Sequence, residues 1–141
     1  MSALNSPEPP DQDAEHLRLL VLFHRTICGL FGLFGFCGLP HFLIGLNGVV
    51  DPKIFENSKG SPPPNVFFGL FMFAGAAVIV GAWALAMLNW YASKRIEERR
   101  ATTYIYVISG LNCLWMPIGT VLGVFTIVVM SRPTVRALFT N

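Results

Sequence analysis

Hydrophobic residues in this chain are gathered into three long runs that contain no Asp, Glu, Lys or Arg. The runs cover residues 26–50, 66–92 and 101–130. A helix of about 20 apolar residues crosses the ~30 Å hydrocarbon core of a bilayer, and each run exceeds that length. Backbone polar groups must be paired inside such a core, which continuous runs achieve as helices, whereas barrel strands alternate and are about half as long. The pattern therefore predicts an all-α integral membrane helical bundle.

Basic residues between the runs indicate how often the chain crosses the membrane. Two precede the first run, two follow it, four follow the second run and two follow the third. A single crossing by the third run would divide them six to four between the two faces, whereas a hairpin would divide them eight to two. The positive-inside rule favours the hairpin. Four helices in two hairpins are therefore preferred, with both termini cytoplasmic and three transmembrane helices as the alternative.

The predicted turn of that second hairpin lies within "WMPIGTVLG". Pro117 disfavours helix in the preceding Met116, and Gly119 permits unusual backbone angles. The resulting spans are about 26–50, 66–92, 101–116 and 118–130. The last two are short, since 101–116 rises only about 24 Å and the part of the fourth span from residue 120 onward only about 17 Å. A re-entrant hairpin or one long kinked crossing therefore stays open.

Polar segments flank the predicted bundle. The acidic, proline-rich stretch "MSALNSPEPPDQDAE" lacks the positive n-region of a secretory signal. It predicts a disordered cytoplasmic tail over residues 1–15, followed by a single transmembrane helical domain over 16–139. Residues 51–65, rich in proline and glycine, predict an irregular loop on the outer face. The stretch "SRPTVRALF" (131–139) predicts a short helix with Pro133 in its first turn, a position that proline favours.

Small residues recur at helical spacing within the runs. The stretch "CGLFGLFGFCG" (28–38) has glycine at every third position, and two further pairs of small residues lie four apart. A row of residues three apart is inclined by about 45° to the helix axis, and a row of glycines leaves an oblique groove in which another helix can approach closely. The absence of G-x-G-x-x-G spacing and of a lysine argues against a phosphate-binding loop. Helix packing is predicted at Gly29, Gly32, Gly35, Gly38, Ala77, Gly81, Gly119 and Gly123.

Two histidines are candidate ligands for a tetrapyrrole. His24 lies just before the first run and His41 lies inside it, after Pro40. Either imidazole could ligate the iron of a haem or the magnesium of a chlorophyll-type pigment. They are 17 residues apart, about 25 Å on one helix, so they cannot hold one haem together. The structural alternative is that His41 donates to a carbonyl that Pro40 leaves without a partner.

The segment "SKRIEERR" (93–100) is the candidate site for lipid headgroups. Its basic residues would attract anionic lipids by about 1 kcal/mol each. Anchoring of the topology is the simpler alternative. Nucleic-acid binding would need a larger patch with interleaved aromatic residues, and it is not expected. The candidate headgroup contacts are Lys94, Arg95, Arg99 and Arg100.

Composition narrows the choice of function. Hydrophobic residues make up 53% of the chain and charged residues 13%, too lopsided for an ordinary soluble fold. No carboxylate lies in any run, which removes the usual general acids and bases and the usual carriers of proton coupling. The three cysteines have no zinc-binding spacing. The chain is therefore expected to be no enzyme and to need no metal or resident cofactor, and to act as an accessory or scaffold subunit that packs against other integral membrane subunits.

Several stretches together resemble a group of small, uncharacterised bacterial polytopic membrane proteins. They are "LRLLVLFHRTICGLFGLFG", "LPHFLIGL", "PPPNVFFGLF", "GAWALAMLNWYA" and "LNCLWMPIGTVLGVFTIVVMSRPTVRALF". The most specific element is the C-terminal P-x-G-T-x-L-G core at residues 117–123. One departure from the group is Arg25, where an aromatic residue would be expected to follow His24. The resemblance implies a compact helical bundle in the bacterial cytoplasmic membrane, and it implies no activity.

Overall fold

The computed structural model describes residues 10–55 and 64–139, with side chains from Gln12 onward. Its regular elements are helical, which confirms the predicted all-α class. The chain divides into two compact units: a central unit, Gly29–Ala86, and a terminal unit formed by the described residues of Met1–Cys28 and Met87–Asn141. The helices are α1 (Pro10–Phe36), α2 (Gly38–Val50), α3 (Asn65–Glu97), α4 (Thr102–Asn112), α5 (Ile118–Met130) and α6 (Pro133–Ala137), with a 3₁₀ turn at Pro52–Phe55.

Two helical segments are long and apolar enough to cross a membrane. One is Gln12–Val50, in which α1 and α2 follow each other with only Cys37 between them, and the other is α3. The interruption has a local cause, because Pro40 has no N–H to donate to the Phe36 carbonyl four residues earlier. The Cys37 N–H bonds instead to the Phe34 carbonyl at 3.0 Å, as in a tighter 3₁₀ turn.

In the central unit, α2 and α3 meet with almost no side chain between their backbones. Gly45 faces the backbone of Met72, and Gly75 faces the backbone of Phe42; a Cβ atom added at either glycine would collide with those atoms. Close approach maximises dispersion contacts, which is how helices associate where the surroundings are as apolar as they are. The glycines therefore set the distance between these two helices.

In the terminal unit, α4 and α5 form a tight hairpin, as predicted for the third run. Gly123 of α5 lies against the Ser109 carbonyl of α4, leaving no room for a side chain. Thr120 Oγ1 donates to the Cys113 carbonyl at 2.8 Å and so satisfies a group freed at the end of α4. Buried apolar side chains fill the core of this unit, among them Leu20, Ile105, Val129 and Met130.

The helices differ in number and length from the prediction. The described residues form six α-helices, whereas four spans and one short C-terminal helix were predicted, because the first run is divided at Cys37. Helix α6 was predicted and begins at Pro133 in its first position. Helices α4 and α5 contain 11 and 13 residues. They are therefore about 17 and 20 Å long, shorter than a hydrocarbon core.

The first helix also starts earlier than predicted. Residues 10–15, assigned above to a disordered tail, belong to α1, which begins at Pro10. Proline suits the first turn of a helix, and Asp13 gains a charged partner, Arg132, at 3.5 Å. Residues 1–9 of the predicted tail and 56–63 of the predicted outer loop lie outside the described residues.

Candidate functional site

Four of the small residues predicted to pack helices lie in close contacts. Gly35 faces the indole of Trp83, and Gly38 faces the Gly75 carbonyl, both within the central unit. Gly119 and Gly123 face the backbone of α4 within the terminal unit. At each of these four positions an added Cβ would clash, so a larger residue would push the neighbouring helix away.

The other predicted packing residues lie in open surroundings. A Cβ added at Gly29, Gly32 or Gly81 would meet no atom within 4 Å, and Ala77 is exposed. The Gly32 carbonyl accepts a hydrogen bond from Trp83 Nε1 at 3.3 Å, which is its link to α3. Half of the predicted set therefore lies away from the close helix contacts of the described residues.

Sequence reasoning missed three glycines that do make close contacts: Gly45, Gly48 and Gly75. The signal that could have found Gly45 and Gly75 is a repeat of seven residues, to which Gly48 does not belong. Gly45 follows Gly38 by seven, and buried residues of α3 in the central unit recur at the same interval, at Phe68, Gly75 and Ala82. A seven-residue repeat keeps one face of a helix against its partner, whereas a row of residues three apart turns away from it.

His41 lies exposed on α2. Its ring stacks on Phe71 with the ring centroids 5.3 Å apart, and its Nδ1 lies 3.3 Å from the Cys37 carbonyl oxygen. A carbonyl only accepts, so Nδ1 carries the proton in this hydrogen bond and Nε2 keeps its lone pair. Metal-binding histidines usually donate their other ring N–H to a group such as a backbone carbonyl, as Nδ1 does here. The exposed Nε2 could therefore bind a metal ion.

His24 has the same hydrogen-bond pattern but a different environment. Nδ1 lies 3.0 Å from the Leu20 carbonyl oxygen, and the whole residue is buried in the terminal unit. Its Nε2 has no hydrogen-bond partner among the described residues. Since the side chain is inaccessible, a tetrapyrrole could reach Nε2 only if the surrounding side chains moved. Of the two predicted ligands, His41 is the accessible one.

The basic segment after α3 is partly engaged in contacts of its own. Arg95 pairs with Glu98 at 3.2 Å, lies over the Tyr91 ring and donates to the Tyr91 hydroxyl. Lys94 Nζ lies 5.7 Å from the centroid of Trp90. Arg99 and Arg100 are exposed. The four predicted headgroup contacts are therefore not equivalent, and Arg95 makes the most contacts within the protein.

Two charged or polar pairs link helices of the terminal unit. Arg25 donates to both carboxylate oxygens of Glu97 at 2.8 and 2.9 Å. Asn89 and Asn112, both fully buried, exchange two amide hydrogen bonds of 3.1 and 2.8 Å. Sequence reasoning did not identify Glu97 as the partner of Arg25. The sequence could not identify it because the two residues are 72 positions apart.

Within residues 10–55 and 64–139, no three His, Cys, Asp or Glu side chains are grouped so that they could hold a metal ion. Cys28, Cys37 and Cys113 are free thiols. Comparison of the chain with protein-family models, with curated proteins and with solved structures finds no match.

Proposed function

We propose that the protein is an integral membrane protein that crosses the bilayer twice, through Gln12–Val50 and α3. The short α4–α5 hairpin enters and leaves by the cytoplasmic face. Support comes from the lengths of the helices and from charge, because this topology places eight of the ten basic residues on the cytoplasmic side. The bacterial cytoplasmic membrane is proposed on the resemblance to small bacterial membrane proteins.

Its proposed role is that of an accessory or scaffold subunit that contacts another integral membrane protein. The observation that carries this proposal is the outer face of α3, an exposed apolar stripe in the central unit. Large side chains such as Phe73 (70% exposed) flank an exposed small pair, Ala77 and Gly81. Lipid tails can cover large apolar residues, but a small pair four residues apart also permits the close approach of a helix. The outer face consists of Val66, Leu70, Phe73, Ala77, Val80 and Gly81.

Purification from native membranes in a mild detergent tests this role. The tagged protein should bring a stoichiometric membrane partner with it, identified by mass spectrometry. Gly81→Leu should abolish that capture without lowering the melting temperature, because the position is open. Gly110→Leu, at an open position of the terminal unit, is the matched control and should retain the partner. Capture that survives Gly81→Leu, or a protein that elutes alone as a monomer, would contradict the proposal.

A second candidate function is the binding of a haem or chlorophyll-type pigment by His41. The accessible Nε2 of His41 and the stacked Phe71 favour it. A single axial histidine suffices for a pentacoordinate tetrapyrrole. The purified protein should then carry the intense visible absorption band of a bound tetrapyrrole. His41→Ala should remove the band and His24→Ala should not; a colourless wild-type protein excludes this function.

A further inference from the structure

Two adjoining cavities in the terminal unit lie beside α1 and the end of α3. Their volumes are about 550 and 180 Å³, and Arg18, Val21 and Glu97 line both. Together they are called the Arg18 groove. Arg18, Leu22 and Arg25 lie four and three residues apart, so they lie on one face of α1. A volume of several hundred cubic ångströms is typical of small-molecule sites.

The charges of the groove are unevenly paired. Arg25 and Glu97 neutralise each other through their two hydrogen bonds. Glu15 also lines the larger cavity, so three arginines and two glutamates leave the groove with a net charge of +1. Arg18 and Arg99 form no ion pair with any residue of the described part. Guanidinium groups bind phosphate oxygens through two parallel hydrogen bonds. The groove therefore presents two uncommitted guanidinium groups that suit a phosphate.

The groove also has an apolar side. Leu19 and Leu22 line it and are themselves exposed, Leu22 by 58%. The cationic groups of Arg25 and Lys94 lie over the ring of Trp90, 5.5 and 5.7 Å from its centroid. Tryptophan with flanking basic residues is typical of the boundary between the hydrocarbon and the headgroups. The ligand that fits must therefore carry both a phosphate and an apolar tail.

The geometry points to the Arg18 groove as a binding site for an anionic glycerophospholipid, with its phosphate at Arg18 and Arg99 and an acyl chain along Leu19 and Leu22. Free phosphate would use only the guanidinium groups and leave the leucines exposed. The site shares Arg99 with the predicted headgroup segment, but it adds Arg18 of α1, and Arg95 of that segment is already engaged. The inference rests on the membrane placement proposed above and is independent of the outer face of α3.

Native mass spectrometry of the purified protein in mild detergent tests the site by titration with phosphatidylglycerol and, separately, with phosphatidylcholine. Phosphatidylglycerol should bind at one lipid per chain more tightly than phosphatidylcholine. Arg18→Gln should weaken its binding about tenfold, the loss expected for a charge-assisted contact. Arg136→Gln removes an equal charge from the exposed surface of α6 and should change binding less than about twofold. Arg99→Gln tests the second arginine of the groove in the same way.

Three outcomes would overturn the site. Equal losses in Arg18→Gln and Arg136→Gln would show attraction by overall charge only. Equal binding of the two lipids would remove the need for an anionic headgroup. Displacement of phosphatidylglycerol by soluble glycerol phosphate would show that the groove recognises free phosphate. Since the assay uses purified protein, failure here leaves the capture of a protein partner by α3 untouched, and failure of that capture leaves the lipid titration interpretable.

Discussion

At the scale of single residues, the buried amides of Asn89 and Asn112 are the clearest polar link between α3 and α4. Each side chain is fully buried and donates to the other. A buried amide whose partner is removed keeps its desolvation penalty without the compensating hydrogen bonds. Removing both amides should therefore cost less free energy of unfolding than the sum of the two single losses.

We therefore expect Asn112→Leu and Asn89→Leu each to lower the free energy of unfolding by about 1–2 kcal/mol. The double variant should lose less than the sum of the two, with a coupling energy of about 1 kcal/mol. Denaturation of the four proteins in one detergent measures the cycle. Additive losses would show that the two amides do not stabilise each other.

The pair of Asp13 and Arg132 should respond asymmetrically to substitution. The Asp13 side chain is 3% exposed and the Arg132 side chain 30%, so only the arginine has water within reach. Arg132→Gln leaves a buried carboxylate without its cation and should cost about 2 kcal/mol, whereas Asp13→Asn should cost about 1 kcal/mol or less. Thermal melting of both variants at neutral pH compares them. The reverse order would mean that the carboxylate is solvated in the folded protein.

At the scale of elements, the contact of α2 with α3 depends on which face a glycine occupies. Gly75→Ala should destabilise the protein by about 1–3 kcal/mol, because its Cβ would enter the backbone of α2. Gly81 lies on the same helix in open surroundings, so Gly81→Ala should be neutral or stabilise the protein by about 0.5–1 kcal/mol. Melting temperatures in detergent separate the two. Equal effects would place both glycines in the same environment.

Local chemistry explains which elements could be predicted. The hairpin of the third run follows from Pro117 and Gly119, and α6 follows from Pro133, because proline and glycine act on the backbone within a few residues. The interruption at Cys37 also has a local cause, Pro40, but it lies inside a continuous apolar run that predicts one span. The early start of α1 depends on Arg132, a residue more than a hundred positions away, and no local pattern reveals it.

The candidate site was predictable only in part for the same reason. Spacing identifies glycines that share a row on a helix, but it does not say which row faces a neighbour. Gly35 and Gly38 face α3, whereas Gly29 and Gly81 lie in open space. The hydrogen bonds of His24 and His41 are alike, and only burial distinguishes them. Burial depends on the packing of whole helices, which a single sequence does not specify.

At the scale of the whole molecule, placement in a membrane underlies both the protein-contact and the lipid-binding proposals. Two segments are long enough to cross, while α4 and α5 are too short to do so separately. In this topology Lys53, just after α2, lies outside, Glu98 lies in the cytoplasm, and the tip of the α4–α5 hairpin stays within the bilayer. The hairpin tip therefore distinguishes two crossings from four.

Labelling of single cysteines in intact spheroplasts with a membrane-impermeant maleimide is the most direct measurement, after the three native cysteines are replaced by alanine. We expect Lys53→Cys, at an exposed position, to react from outside, Glu98→Cys to react only after lysis, and Met116→Cys at the hairpin tip to stay unlabelled from outside. Labelling of Met116→Cys from outside would show that the third run crosses twice. Equal labelling of Lys53→Cys and Glu98→Cys before lysis would contradict the membrane placement itself.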